Sequence, residues 1–113
     1  MNDLHARQFR SMVLALVTCS LVALPVYAQN EAAAVFKAKC AACHGADGKG
    51  DTPVGKKLGV RDFASAEVQK ETDEELFSAT QKGRIKMPAF GSALNDTQIK
   101  DLVVYIRELS KKK

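Results

Sequence analysis

Cys40-Ala41-Ala42-Cys43-His44 constrains this chain more than any other stretch. Cys-x-x-Cys-His is the attachment signature of a c-type haem. The spacing has a chemical reason. Thiols three residues apart on a helical turn point to the same side. They can bond, as thioethers, to the two vinyl groups along one edge of the macrocycle. The histidine that follows then stands beside the ring, where an imidazole nitrogen reaches iron as an axial ligand. Cys40 and Cys43 are therefore the candidate attachment residues, and His44 is a candidate metal ligand.

Three plainer readings fit less well. A redox dithiol follows a strand and opens a helix, whereas this motif follows Glu31-Ala-Ala-Ala-Val-Phe-Lys-Ala-Lys39, a helical run. Structural zinc needs four ligands from Cys or His, and past residue 28 the chain has two Cys and one His. A plain disulfide leaves His44 unexplained.

Residues 1–28 read as a secretory signal peptide. His5, Arg7 and Arg10 precede the apolar run Met12–Leu24, Pro25 breaks it, and Val26-Tyr27-Ala28 offers small residues for cleavage. The run is shorter than the ~20 residues of a spanning helix, so cleavage and a periplasmic location are expected. The alternative is an uncleaved leader that anchors the protein in the membrane. Cys19 follows Leu16-Val17-Thr18, a loose match to a lipoprotein site. Thr18 is large for that role, so Cys19 is expected to leave with the leader.

The domain proper is then 29–113, with 85 residues and 15 basic against 12 acidic side chains. So small a chain buries too little surface to be very stable alone, and a covalently bound apolar macrocycle would supply core. The mild positive charge, with no basic stripe interleaved with aromatics, speaks against nucleic acid. Alternating strand patterns are absent, which favours an all-α domain.

Asn30 is the expected cap of the first helix, and Phe36 lies one turn before Cys40 on the same face. Gly45–Gly55 reads as a loop packed beside the axial histidine; it matches neither nucleotide-binding fingerprint. Pro53 lies within it and is the candidate acceptor for the second ring N–H of His44, because proline offers a carbonyl without a competing N–H. Leu58 and Phe63 are candidate core, and Lys57 and Arg61 could pair with haem propionates. Thr72 to Glu75 is a capping box for a helix Asp73–Lys82, which Gly83 ends. Met87 is the single methionine past the leader, followed by Pro88. Its thioether suits iron opposite a histidine, so Met87 is the candidate sixth ligand; Lys82, Lys86 or an open position are the rivals. Asn95 to Gln98 is a second capping box, opening a helix with Ile99, Leu102, Val103, Tyr105, Ile106 and Leu109 on one side.

These residues together resemble the small soluble class I cytochromes c. Cys40–Gly45 is similar to the attachment site, Gly83-x-x-x-Met-Pro-x-Phe90 to the sixth-ligand loop, and Leu94-Asn-Asp-x-x-Ile99 through Tyr105 to the terminal helix. The match spans nearly all of residues 30–109. It implies three to four helices around one covalent haem c, with first and last helices crossing and Phe36 and Phe90 packed against the haem. One departure is Ala32, where the family often has glycine at the crossing; a slightly wider crossing is expected.

The resemblance implies a one-electron carrier, not an enzyme, monomeric, with no nucleic-acid partner. It would meet redox partners, membrane-bound or soluble, at an exposed haem edge near Lys39, Lys49, Lys82 and Lys86. Two alternatives are a haem-based ligand sensor with a loose Met87, and a fixed haem subunit of a larger oxidoreductase.

Overall fold

The computed structural model describes residues 24–112. Six helices follow in order: α1 (Leu24–Lys39), α2 (Ala41–His44), α3 (Pro53–Leu58), α4 (Ala66–Lys70), α5 (Asp73–Lys82) and α6 (Asp96–Lys111). Among the described residues there is no strand, only an isolated antiparallel bridge between Arg84 and Met87. The all-α expectation holds. The basic region of the leader, most of its apolar run and Cys19 lie outside the described residues.

The expected three to four helices become three long ones and three single turns. Local chemistry explains the extra turns. Thr52 caps α3 by accepting from the Gly55 N–H at 2.8 Å, and Pro53 takes the first helical position, where a missing N–H costs nothing. Gly59 closes α3 with φ +70°, ψ +39°. Ser65 caps α4 through Val68. The signals were Thr-Pro and a following Gly for α3, which begins inside the stretch Gly45–Gly55 read as a loop, and Ser65 for α4. Both capping boxes form in full, Thr72 with Glu75 and Asn95 with Gln98.

Asn30 is a correction. In this chain α1 runs through it from Leu24, so it caps nothing. The alanine-rich run propagates helix well, and Pro25 sits in the first turn, where proline is tolerated.

The core follows from helix periodicity. α6 buries Ile99, Leu102, Val103 and Leu109, the three- and four-residue spacing of one face. α1 offers Ala32 and Phe36, 3% and 2% exposed, and packs on α6. Phe36 meets Tyr105 of α6 with ring centroids 5.3 Å apart. Gln98 adds a hydrogen bond to Glu31 at 3.3 Å. α5 packs on the same helix. The three long helices thus share one seam, and the short turns enclose a hollow beside it.

Candidate haem site

The attachment motif bridges two helices instead of ending one. Cys40 breaks α1 with φ −118°, yet its N–H still donates to the Phe36 carbonyl at 2.9 Å. Its carbonyl then accepts from Cys43 at 3.2 Å and from His44 at 3.0 Å. That tight turn keeps the two thiols one turn apart. Both are half-buried and free.

The loop after His44 folds back under it. The Gly50 N–H donates to the His44 carbonyl at 2.7 Å, and the Thr52 hydroxyl donates to the carbonyls of Ala42 and Cys43. Gly55 lies so close to the carbonyls of Cys43 and Gly50 that a Cβ there has no room. The loop thus packs beside the histidine, as expected. Phe63, hydrogen-bonded back to Gly48 at 2.9 Å, lays its ring on the imidazole with centroids 4.8 Å apart and planes 25° from parallel. Sequence reading had Phe63 only as core; its stacking partner is set by the loop.

Pro53 is the second correction. Its expected hydrogen bond with His44 is not made: Nδ1 of His44 is buried with no partner, and Pro53 is exposed at the start of α3. The first turn of a helix commits the carbonyl direction of its opening residues to the helix axis.

Met87 arrives on a tight turn. Arg84 N–H donates to the Met87 carbonyl at 3.1 Å, and Met87 N–H returns a bond to Arg84. Between them Ile85 adopts φ +34°, the only non-glycine residue described with positive φ, and its side chain stands fully in solvent. Gly83 makes the turn possible. With φ +77° and ψ 168° it occupies a region nearly reserved for glycine. A Cβ there would lie 2.6 Å from the Met87 carbonyl oxygen and 2.9 Å from Ala89 N. Gly83→Ala is accordingly expected to destabilise the protein by about 2 kcal/mol or more and to displace the Met87 turn. Chemical denaturation with and without monitoring of iron ligation checks both effects.

These elements enclose one cavity of about 530 Å³, inside the roughly 300–1,000 Å³ range of cofactor pockets. Cys40, Cys43, His44 and Met87 all line it. So do Phe36 and Phe90, with Phe63, Leu76, Leu102 and Ile106. Phe90 is held there by its N–H donating to the Thr80 carbonyl at 3.0 Å. Lys39 and Lys86 line the cavity; Lys49, Lys57 and Lys82 do not.

The chemistry of the donors fits haem. Burial pushes the Cys40 thiol up to about 11, against the pull of Lys39. It stays protonated near neutrality, unlike redox dithiols, whose thiols are lowered. Burial also holds the His44 imidazole below its ordinary value. The neutral ring is the form that ligates a metal. Among the described residues no three His, Cys, Asp or Glu side chains converge on one point. A mostly apolar cavity with two thiols, an imidazole and a thioether on its walls suits a macrocycle that brings its own equatorial ligands.

The sequence reading missed a charged cluster at the mouth. Glu71 accepts from Arg61 at 2.9 Å and from Arg84 at 2.9 Å, and all three line the cavity. The two guanidiniums, Arg84 foremost, hold its carboxyl below the usual range. Nothing local marks Glu71, because its partners are 10 and 13 residues away.

Comparison with known proteins agrees with this geometry. The family model described as cytochrome c oxidase, cbb3-type, subunit III matches residues 28–106. The chain is 31% identical over 104 residues to cytochrome c6 of a Synechococcus species, covering 89% of this chain and 90% of that protein. It is 35% identical over 82 residues to the cbb3-type cytochrome c oxidase subunit FixP of Azorhizobium caulinodans, covering 73% of this chain but 27% of that subunit. The solved structure of KustC0563, a c-type cytochrome, superposes with a TM-score of 0.64 at 34% identity, over 68% of this chain and 94% of that one.

Proposed function

This chain belongs to the class I cytochrome c family and is a monohaem c-type cytochrome of electron transfer, and we propose that it serves as an exported, diffusing one-electron carrier. One observation carries the reading: a single cavity gathers Cys40, Cys43, His44 and Met87. Cys40 and Cys43 would hold the haem as thioethers, and His44 and Met87 would be its axial ligands. The bound haem supplies a one-electron couple, Fe(II) to Fe(III) and back.

The chain's own residues do the rest. His44 and Met87 would hold the iron between them, leaving no open position for a substrate. Phe36, Phe63, Leu76 and Leu102 exclude water around it. A methionine opposite a histidine raises the potential. Nothing large has to move when an electron leaves, because the ligands sit on elements tied to α1, α5 and α6.

Docking would use the cavity mouth. Lys39 and Lys86 line the cavity, and Ile85, next to Lys86 along the chain, is fully exposed. An apolar tip ringed by cations suits an acidic redox partner and raises association rate more than affinity. Such transient encounters use small interfaces. Residues 1–28 would be removed on export to the periplasm, leaving 29–113 as a monomer. No helix among the described residues is long and apolar enough to cross a membrane.

The test is spectroscopic. The purified oxidised protein should show the weak far-red band of a methionine–iron bond, and the reduced protein should not bind carbon monoxide. Ready binding of carbon monoxide by the native protein would overturn the carrier reading. A fixed subunit of an oxidase is the second reading, favoured by the matches to the cbb3-type subunits. Stoichiometric copurification with a large membrane enzyme would support it over the carrier.

A further inference from the structure

The turn that presents Met87 needs an anchor. Ile85 at φ +34° is strained for a branched side chain, and such backbone persists only where its surroundings hold it. The turn's closing bonds both run to Arg84. Arg84 is held chiefly by Glu71, with contacts of 2.8 and 2.9 Å from one guanidinium nitrogen to the two carboxylate oxygens, and by a longer bond of 3.5 Å to the Glu75 carbonyl.

Glu71 itself cannot drift. Its side chain is 15% exposed. Its N–H caps α4 on the Val68 carbonyl, and its own carbonyl accepts from Arg107 of α6, whose Nε also pairs with Asp73 at 3.0 Å. The same oxygen, Oε1, also accepts from Arg61, so the two guanidiniums meet on one atom of Glu71. Arg61 lies two residues before Phe63, the ring stacked on His44. One carboxylate therefore touches the supports of both candidate axial ligands.

We propose that Glu71 is a positioning residue for the ligand turn: by joining Arg84 to Arg61 across the cavity mouth, it keeps Met87 closed on the metal. The inference rests on Met87 being the sixth ligand. The pair is half in solvent, with Glu71 15% and Arg84 41% exposed, but the hydrogen bonds to the mostly buried carboxylate make it worth more than a freely exposed ion pair. Its loss should therefore show as an easier exchange of Met87 for an external ligand.

The test uses the full-chain holoprotein and imidazole as probe. In Glu71→Gln, shape is kept and charge is lost. Its oxidised form should bind imidazole about tenfold more tightly than wild type, the size of one lost charged hydrogen bond, and its far-red band should weaken. Arg84→Ala should do the same, and the double variant should add little, since both cut one link. Leu109→Ala serves as the comparison, because Leu109 is buried in α6 and does not line the cavity. It should lower stability without changing imidazole affinity.

Wild-type affinity and an intact band in Glu71→Gln would overturn the proposal while leaving Met87 as ligand. An equal effect from Leu109→Ala would also overturn it, by reducing Glu71 to general stability. A wild-type protein with no far-red band, whose imidazole affinity Met87→Ala does not alter, would instead remove the ligand assignment on which the proposal stands.

Discussion

Met87→Ala is expected to yield a red protein whose reduced form binds carbon monoxide and whose potential falls by on the order of 0.1 V or more, within the roughly 0.8 V that axial ligands span. The reason is local. Met87 is the one sulfur on its wall of the cavity, and it sits on a turn closed at both ends on Arg84. Alanine keeps that backbone pattern and removes only the thioether. Haem content should be unchanged, because Cys40, Cys43 and His44 lie on a different segment. A redox titration and a carbon monoxide difference spectrum measure the two effects. An unchanged potential in a fully loaded variant would remove Met87 from the metal and leave Lys82 or Lys86 as rivals. Of those two, only Lys86 lines the cavity.

Cys40→Ala combined with Cys43→Ala should have the larger consequence, because it costs the fold as well as the colour. Haem would no longer survive denaturation with the polypeptide, which haem staining after denaturing electrophoresis reports directly. The packing argument adds a second loss. Holding open an apolar hollow of 530 Å³ would cost up to about 13 kcal/mol at ~24 cal/mol per Å³. That is an upper bound, since the mouth admits water, but it rivals the whole stability of a small domain, about 5–15 kcal/mol. The double variant should therefore accumulate poorly and unfold without a cooperative transition by circular dichroism. Each single variant should keep one thioether and an intermediate yield. A double variant of native stability, or one whose denatured mass still includes haem, would defeat the attachment assignment.

The family relationship and the site argument support each other without being the same evidence. The matches to cytochrome c6 and to the cbb3-type subunit establish a monohaem c-type cytochrome. They disagree about the setting, since one relative is nearly all covered by this chain and the other is a quarter covered. The exposed Ile85 between Lys86 and Arg84 suits a surface met by partners in passing. A fixed subunit would be expected to bury such a tip against its neighbours, so Ile85→Asp should slow electron delivery in the carrier case.

Much of the domain was legible because its instructions are short. The attachment motif acts through a three-residue spacing. Each capping box acts through a hydroxyl or amide and an acceptor three residues on, and both formed as read. The stripe of α6 repeats every three or four residues, and the side so defined is the buried one. Phe36, Phe90 and Met87 line the cavity because turns and capped helices on either side fix where they can go.

What failed was of another kind. Asn30 was read as a helix start, but a cap is decided by whether the chain before it is helical, and here α1 continues back to Leu24. Pro53 was read as a hydrogen-bond acceptor from its chemistry alone, but it opens α3 at the surface and Nδ1 of His44 finds no partner. Glu71, Arg61 and Arg84 carry no local signature.

The amino-acid sequence by itself determined the chemistry this protein offers: two thiols and an imidazole at the spacing of a haem-attachment motif, and a thioether on a later loop, on a helical framework. Those features are matters of bonding and of neighbours within a turn, so order along the chain suffices to specify them. The tertiary structure alone decided how the pieces are held: which ring lies on His44, and which carboxylate joins the two walls of the cavity. Such contacts depend on where distant backbones come to rest in space, and no short-range rule contains that information.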